Sequence, residues 1–285
     1  MIDSSSGAPV SGAVRLFMQA AAIFVASAGA SLFFLSESTH LYFAWTIKSP
    51  VTAAFLGGGY LAVTTALVFA LRQKDWAQVR VGVWVVATGL ISILATTLMH
   101  LDKFHLRNAV WSAEFWAWSW LFLYIVLVPG LILTLWVQRR RTFAATPATA
   151  SLPAWLRLGH GLLGVLMLAM GAALFALPGT AESLWPWPLT PLTARMVESF
   201  YLAFGVSLLA AVRENDYARV HVASFAYVAF AVLEVITVLR YPTVNWFELP
   251  GQLLGWVLLA LVVLGIAGVK GYLAVRPLRP ANSPG

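Results

Sequence analysis

The chain has 285 residues, 60% of them hydrophobic and only 10% charged, with a mean hydropathy of +0.82. Soluble domains carry about 25% charged residues, and one soluble core of this size could not hide so much apolar surface, so the composition excludes a soluble globular protein and leaves an integral membrane protein. The absence of cysteine excludes disulfides, thiolate metal sites, a cysteine nucleophile and a CxxC redox pair, while the net charge of +7 takes its meaning from where the charges fall.

Residues 1–13 are small and polar and read as a disordered N-terminus. A spanning helix needs about 20 mostly apolar residues. Eight such stretches follow, at 14–35, 50–71, 77–100, 113–137, 156–177, 194–212, 217–240 and 250–273. The first is not read as a cleaved signal peptide, because its apolar run is longer than an ordinary h-region and Arg15 is its lone basic lead-in. Residues 138–155, with the cluster Arg139–Arg141, read as a linker, and 274–285 as a disordered tail.

Eight spans put both termini on one side. That side holds 13 of the 18 lysines and arginines and 4 of the 11 acids, a balance of +9, against −2 for the other side with 5 basic and 7 acidic residues. The positive-inside rule makes both termini cytoplasmic, in a bacterial-type inner membrane. The basic excess is therefore a topology signal and a contact for membrane lipids, not a nucleic-acid footprint. Trp45, Trp111, Trp116, Trp185, Trp187 and Trp246 fall near the outer boundary and Trp76, Trp136 and Trp155 near the inner one, as an aromatic belt would.

LRQKDWAQVR at 71–80 returns as VRENDYARVH at 212–221. Sliding 50–80 onto 191–221 without a gap matches 12 of 31 residues, from Pro50, Thr52 and Ala53 through Tyr60, Leu61 and Ala62 to Arg72, Asp75, Ala77 and Val79. Biased composition alone would give about two or three. The fold class is thus an all-α integral membrane protein whose eight transmembrane helices form two four-helix repeats, 14–137 and 156–273. An even helix number makes the repeats parallel, related by an axis along the membrane normal. Arg72 and Arg213 suit helix C-termini, and Asp75 and Asp216 suit the N-caps that follow.

RLGHGLLGVLMLAMGAALF, a Pro- and Trp-rich outer segment, and TARMVESFYLAFGVSLLAAVREND together resemble the DoxX-like group of bacterial four-helix membrane proteins. The resemblance covers most of the second half and, more weakly, the first. It implies a four-helix bundle for each unit and no particular chemistry. The tandem doubling departs from that group's single unit.

Ionisable residues within spans are costly, about 2.5–3.5 kcal/mol each at the centre on insertion scales, and so mark candidate sites. Arg195, Glu198 and Glu234 lie in the outer halves of the sixth and seventh spans, with Tyr201 beside them, and read as a ligand- or proton-binding pocket. The competing reading is a local Arg195–Glu198 pair with Glu234 hydrogen-bonded between helices. Their repeat equivalents are Ala54, Gly57 and Ile93, so the feature belongs to one unit. His100, Asp102 and His105 form a weaker divalent-metal candidate, against a solvated interfacial loop. His160 and His221 begin odd-numbered spans and present a haem pair, although His221 aligns with Arg80, a snorkelling position. The expected role is non-enzymatic: a binding, transport-associated or partner subunit engaging an apolar small molecule or lipid. The alternative is a membrane-embedded enzyme using Glu198 or Glu234 as acid/base.

Overall fold

The computed structural model describes residues 8–107, 110–140 and 148–275. It has eight helices long and apolar enough to cross a membrane: α1 Gly12–Phe34, α2 Pro50–Leu71, α3 Arg80–Met99, α4 Trp111–Arg139, α5 Ala154–Ala176, α6 Pro191–Glu214, α7 Tyr217–Arg240 and α8 Leu249–Val275. Among the described residues there is no strand, only two isolated bridges, Pro9 with Asp75 and Trp45 with Phe104. The chain is an all-α polytopic membrane protein.

The helices start where side chains satisfy their free N–H groups. The Ser11 and Ser49 hydroxyls accept from Val14 N and Thr52 N, and Thr190 and Thr193 form a reciprocal capping box ahead of α6. Pro50 and Pro191 occupy the first turns of α2 and α6, where no N–H partner is lost. Asp216 caps α7 by accepting from Ala218 N at 2.9 Å. Asp75 accepts from Ala77 N at the same distance, but it caps a 3-10 turn, Trp76–Gln78, and α3 begins only at Arg80. Asn215 closes α6 at φ 46°, a left-handed position that asparagine tolerates.

Packing follows pairs. α1 lies along α2 and α5 along α6; α2 lies along α7 and α3 along α6; α1 touches α4 and α5 touches α8. Each contact has a counterpart with the first and last four helices exchanged. The helices α2, α6 and α7 form the centre, with α6 67% buried along its apolar window, while α4 is 22% buried and faces outward.

Residues 8–13, expected in a disordered tail, are instead pinned. Val10 N donates to Lys74 O at 2.9 Å, Trp76 N to Ala8 O at 2.8 Å, and Ser11 N to the Gln138 side chain at 2.8 Å. Gln138 is buried, and its Nε2 returns a bond to Pro9 O. A similar arrangement precedes α5: Tyr217 N donates to Ala150 O at 3.1 Å, and Leu152 N to the Asn215 side chain. A strap ahead of α1 lies on the α2–α3 turn and one ahead of α5 on the α6–α7 turn, because those turns' backbone groups need partners. The expected disorder of 1–7 and 276–285, and Arg141 of the arginine cluster, lie outside the described residues.

The aromatic belt differs from expectation on the outer side. Trp111 is 76% exposed and Trp246 46%, as an interfacial belt requires, but Trp45, Trp185 and Trp187 are at most 5% exposed. The outer segments fold inward over the bundle. Trp185 and Trp187 meet edge-to-face with Phe55 of α2, and the Trp187 indole donates to Thr52 Oγ1 at 2.9 Å. Burying these rings on protein removes more apolar area from water than leaving them at the headgroups would.

Candidate functional site

Arg195, Glu198 and Tyr201 are spaced three apart on α6 and so spread along adjoining turns of one side. Arg195 is turned outward. Its Nε donates to Phe175 O at 3.0 Å, at the last turn of α5, and Nη1 donates to His100 Nε2 at 2.8 Å, just past the end of α3. A guanidinium suits the free carbonyls of a helix C-terminus. One cation therefore fastens the C-terminal ends of α3 and α5 to α6, a role sequence reading missed because His100 is 95 residues away.

Arginine always donates, so His100 accepts through Nε2 and keeps its own proton on Nδ1. Burial and then the neighbouring Arg195 charge hold the His100 imidazole below its ordinary range. The folded value is thus lower than the unfolded one of about 6.5. Its contribution is present above that value and is lost as pH falls through the folded value. Thermal unfolding in detergent should show a small loss of stability on acidification that flattens in His100→Gln, whose amide oxygen accepts without titrating. An unchanged pH profile in that variant would remove His100 from the fastening.

Glu198 is completely buried where α6 meets α3. Its Oε1 accepts from Ser92 Oγ at 2.5 Å, and Oε2 has no protein partner. No Arg195–Glu198 ion pair forms among the described residues, because the guanidinium is taken by His100 and Phe175. Glu234 is also completely buried, but on the seam between α7 and α2, against Gly58. Its polar side-chain neighbour is the Thr237 hydroxyl, one turn on in the same helix, so the expected interhelical bond to Glu234 is not made among the described residues. Tyr201 packs against Trp185 at 5.6 Å between ring centres and lies within electrostatic range of Glu234. The four residues are therefore divided between two seams and do not line one pocket.

The metal candidates are not brought together. His100 is taken by Arg195, and exposed Asp102 pairs with Lys103 at 2.8 Å. His105 uses both nitrogens, on Phe43 O and Thr46 Oγ1, each at 3.0 Å. No group of three or more potential ligands occurs among the described residues. For the haem pair, His160 Nδ1 bonds Leu156 O at 2.7 Å and His221 Nδ1 bonds Ala218 O at 2.9 Å. The His221 ring is stacked on Tyr272 at 3.8 Å, and neither histidine borders the cavity described next, so these residues do not fit a haem.

That cavity, unforeseen in the sequence, is a narrow apolar space of about 40 Å³ between the helices. It lies in the half nearest the termini and is walled by α1, α2, α3 and α4 together with α6 and α7, including Met18, Ala66, Gly82, Leu131, Phe204 and Ala226. Its polar groups are few. Ser207 and Tyr227 hold each other hydroxyl to hydroxyl at 2.6 Å, and Thr134 returns its hydroxyl to Leu131 O. The cause of the space is visible in the glycines. In α8, Gly265 and Gly268 let Val228 and Ser224 of α7 press in, so that an added Cβ would come within 2.7 Å of Val228 and 2.9 Å of Ser224. In α4 there is no such seam, and Gly82 of α3 has nothing within 4 Å of where a Cβ would stand. Thus α8 closes on α7, whereas α4 stands off α3.

No family model, curated protein or solved structure matches the chain.

Proposed function

We propose that this protein binds an apolar small molecule or a lipid chain in the cavity between α3, α4 and the central helices, as a non-enzymatic binding or transport-associated subunit. The observation that carries the reading is the cavity itself. Its wall is almost wholly apolar, as the walls of small-molecule sites are, and the hydroxyls of Ser207, Tyr227 and Thr134 on it are already satisfied by protein partners. The position differs from the expected outer-leaflet pocket, because Arg195, Glu198 and Glu234 border none of it. For the same reason the acid/base enzyme reading is weaker: neither glutamate meets a space in which a substrate would react there.

The setting we propose is a bacterial-type inner membrane with both termini cytoplasmic, the basic straps and turns lying at the anionic leaflet. The chain is read as two tandem DoxX-like units. In support, helix contacts recur with the units exchanged, and Asp75 and Asp216, 141 residues apart, cap their turns alike.

Filling the space tests the reading. A diazirine-bearing fatty acid in liposomes should label α3 and α7 at the cavity wall. Gly82→Leu combined with Ala226→Phe should reduce that labelling roughly tenfold, the equivalent of about 1.4 kcal/mol. Equal labelling of the filled variant would rule the cavity out as the site.

A further inference from the structure

We propose that Glu234, with Thr237 and the Gly58 backbone beside it, is a proton-binding site on the α2–α7 seam, reached from the outer side past Tyr201. The carboxyl group is completely buried, and the Thr237 hydroxyl beside it is its polar side-chain neighbour, without the alignment of a full hydrogen bond. Such a group is not explained by packing. Buried polar atoms are nearly always satisfied, and an ionised carboxylate with one hydroxyl beside it and no counter-charge costs several kcal/mol. The sealed seam therefore holds the neutral acid.

The surroundings select the ligand. From α2 the carboxyl meets Gly58, where there is no room even for a Cβ. From α6 it faces Tyr201. The chain of α8 carries no charged residue from Leu249 to Val269, α3 carries none beyond Arg80, and α2 carries none. On α6, Arg195 is taken by Phe175 O and His100, and on α7 itself Arg240 is taken by Phe33 O and Phe34 O, so among the described residues no ion pair with the acid forms. A hard metal ion needs about six oxygen ligands. Here the side chains offer two carboxyl oxygens and one hydroxyl in a seam without space. A proton needs one oxygen and no added volume.

A crevice from the surface ends at Tyr201, next to this point. An open vestibule bordered by Asn245 and Glu248 shares Trp185, Pro186 and Pro250 with this narrower crevice. Tyr201 borders that crevice, with Glu234 within its electrostatic range. The same helices, α2 and α7, wall the apolar cavity farther in. The proton site does not depend on that cavity being occupied.

Infrared difference spectra of the full chain in liposomes, in H₂O and D₂O, test the assignment. A neutral carboxylic C=O band at neutral pH should be lost in Glu234→Gln and retained in Glu198→Gln. Thr237→Val removes the adjacent hydroxyl without touching the acid and should shift the same band. A spectrum unchanged in both Glu234→Gln and Thr237→Val would overturn the proposal. So would a band that converts to carboxylate on adding sodium or potassium at fixed pH, which would make the site a metal-cation site.

Discussion

Gly57→Ala should destabilise the protein by about 3 kcal/mol, the upper end for overpacking a closed interface. A Cβ at residue 57 would stand 2.8 Å from Phe33 Cα and 2.9 Å from Leu32 C. Those are backbone atoms of α1, which cannot rotate aside as a side chain can, so the helices must separate along their length. Small residues at such crossings let backbones approach closely in a bilayer, where no hydrophobic force drives helices together. Gly82→Ala is the matched control. It has open space at the Cβ position and should gain up to about 1 kcal/mol from improved helix propensity. Thermal unfolding of the two variants in the same detergent decides the matter: similar midpoints would mean that the α1–α2 contact is not tight in the membrane.

The second large effect is expected at the end of the bundle that holds the termini. Glu214, at the end of α6, receives Nε of Arg80 at 2.7 Å and also binds Arg80 Nη2, while Arg219 Nη1 reaches it at 3.1 Å. This joins α3 of the first unit to α6 and α7 of the second. Glu214 is 12% exposed and Arg219 16%, but Arg80 is 34% exposed, so the full cost of breaking a buried pair does not apply. Glu214→Ala should cost about 1–2 kcal/mol, since it removes the carboxylate that two guanidinium groups share, while Arg219 keeps Asp216 at 3.4 Å. A double-mutant cycle with Arg80→Ala should return a coupling of about 1–2 kcal/mol. Additive losses would show that the two side chains do not act together. Because the residues lie near the surface, added salt should shrink the coupling.

These results bear on what a sequence of this kind reveals. Span number and the polar turns were legible because both are local: an apolar run states its length, and Asp75 or Asp216 needs only the next two residues to make its cap. Which helix faces which was not. The spanning helices are apolar on most sides, so they lack the single stripe from which a soluble helix announces its buried face. Arg195 was legible as costly, yet its partners, His100 and the carbonyl of Phe175, come from two other helices. Trp185 and Trp187 carry the composition of a belt, and only the inward course of their loop makes them core. Glu234 stood out by charge alone; its isolation depends on Gly58 arriving from a different unit.

The loose placement of α4 separates the two halves in kind. Pro129 interrupts its hydrogen-bond ladder, most of its surface meets no protein, and no glycine seam binds it to α3. Its counterpart α8 is zipped to its neighbour. The last four helices thus make a braced frame, while the first four have the slack of a door hung on one side.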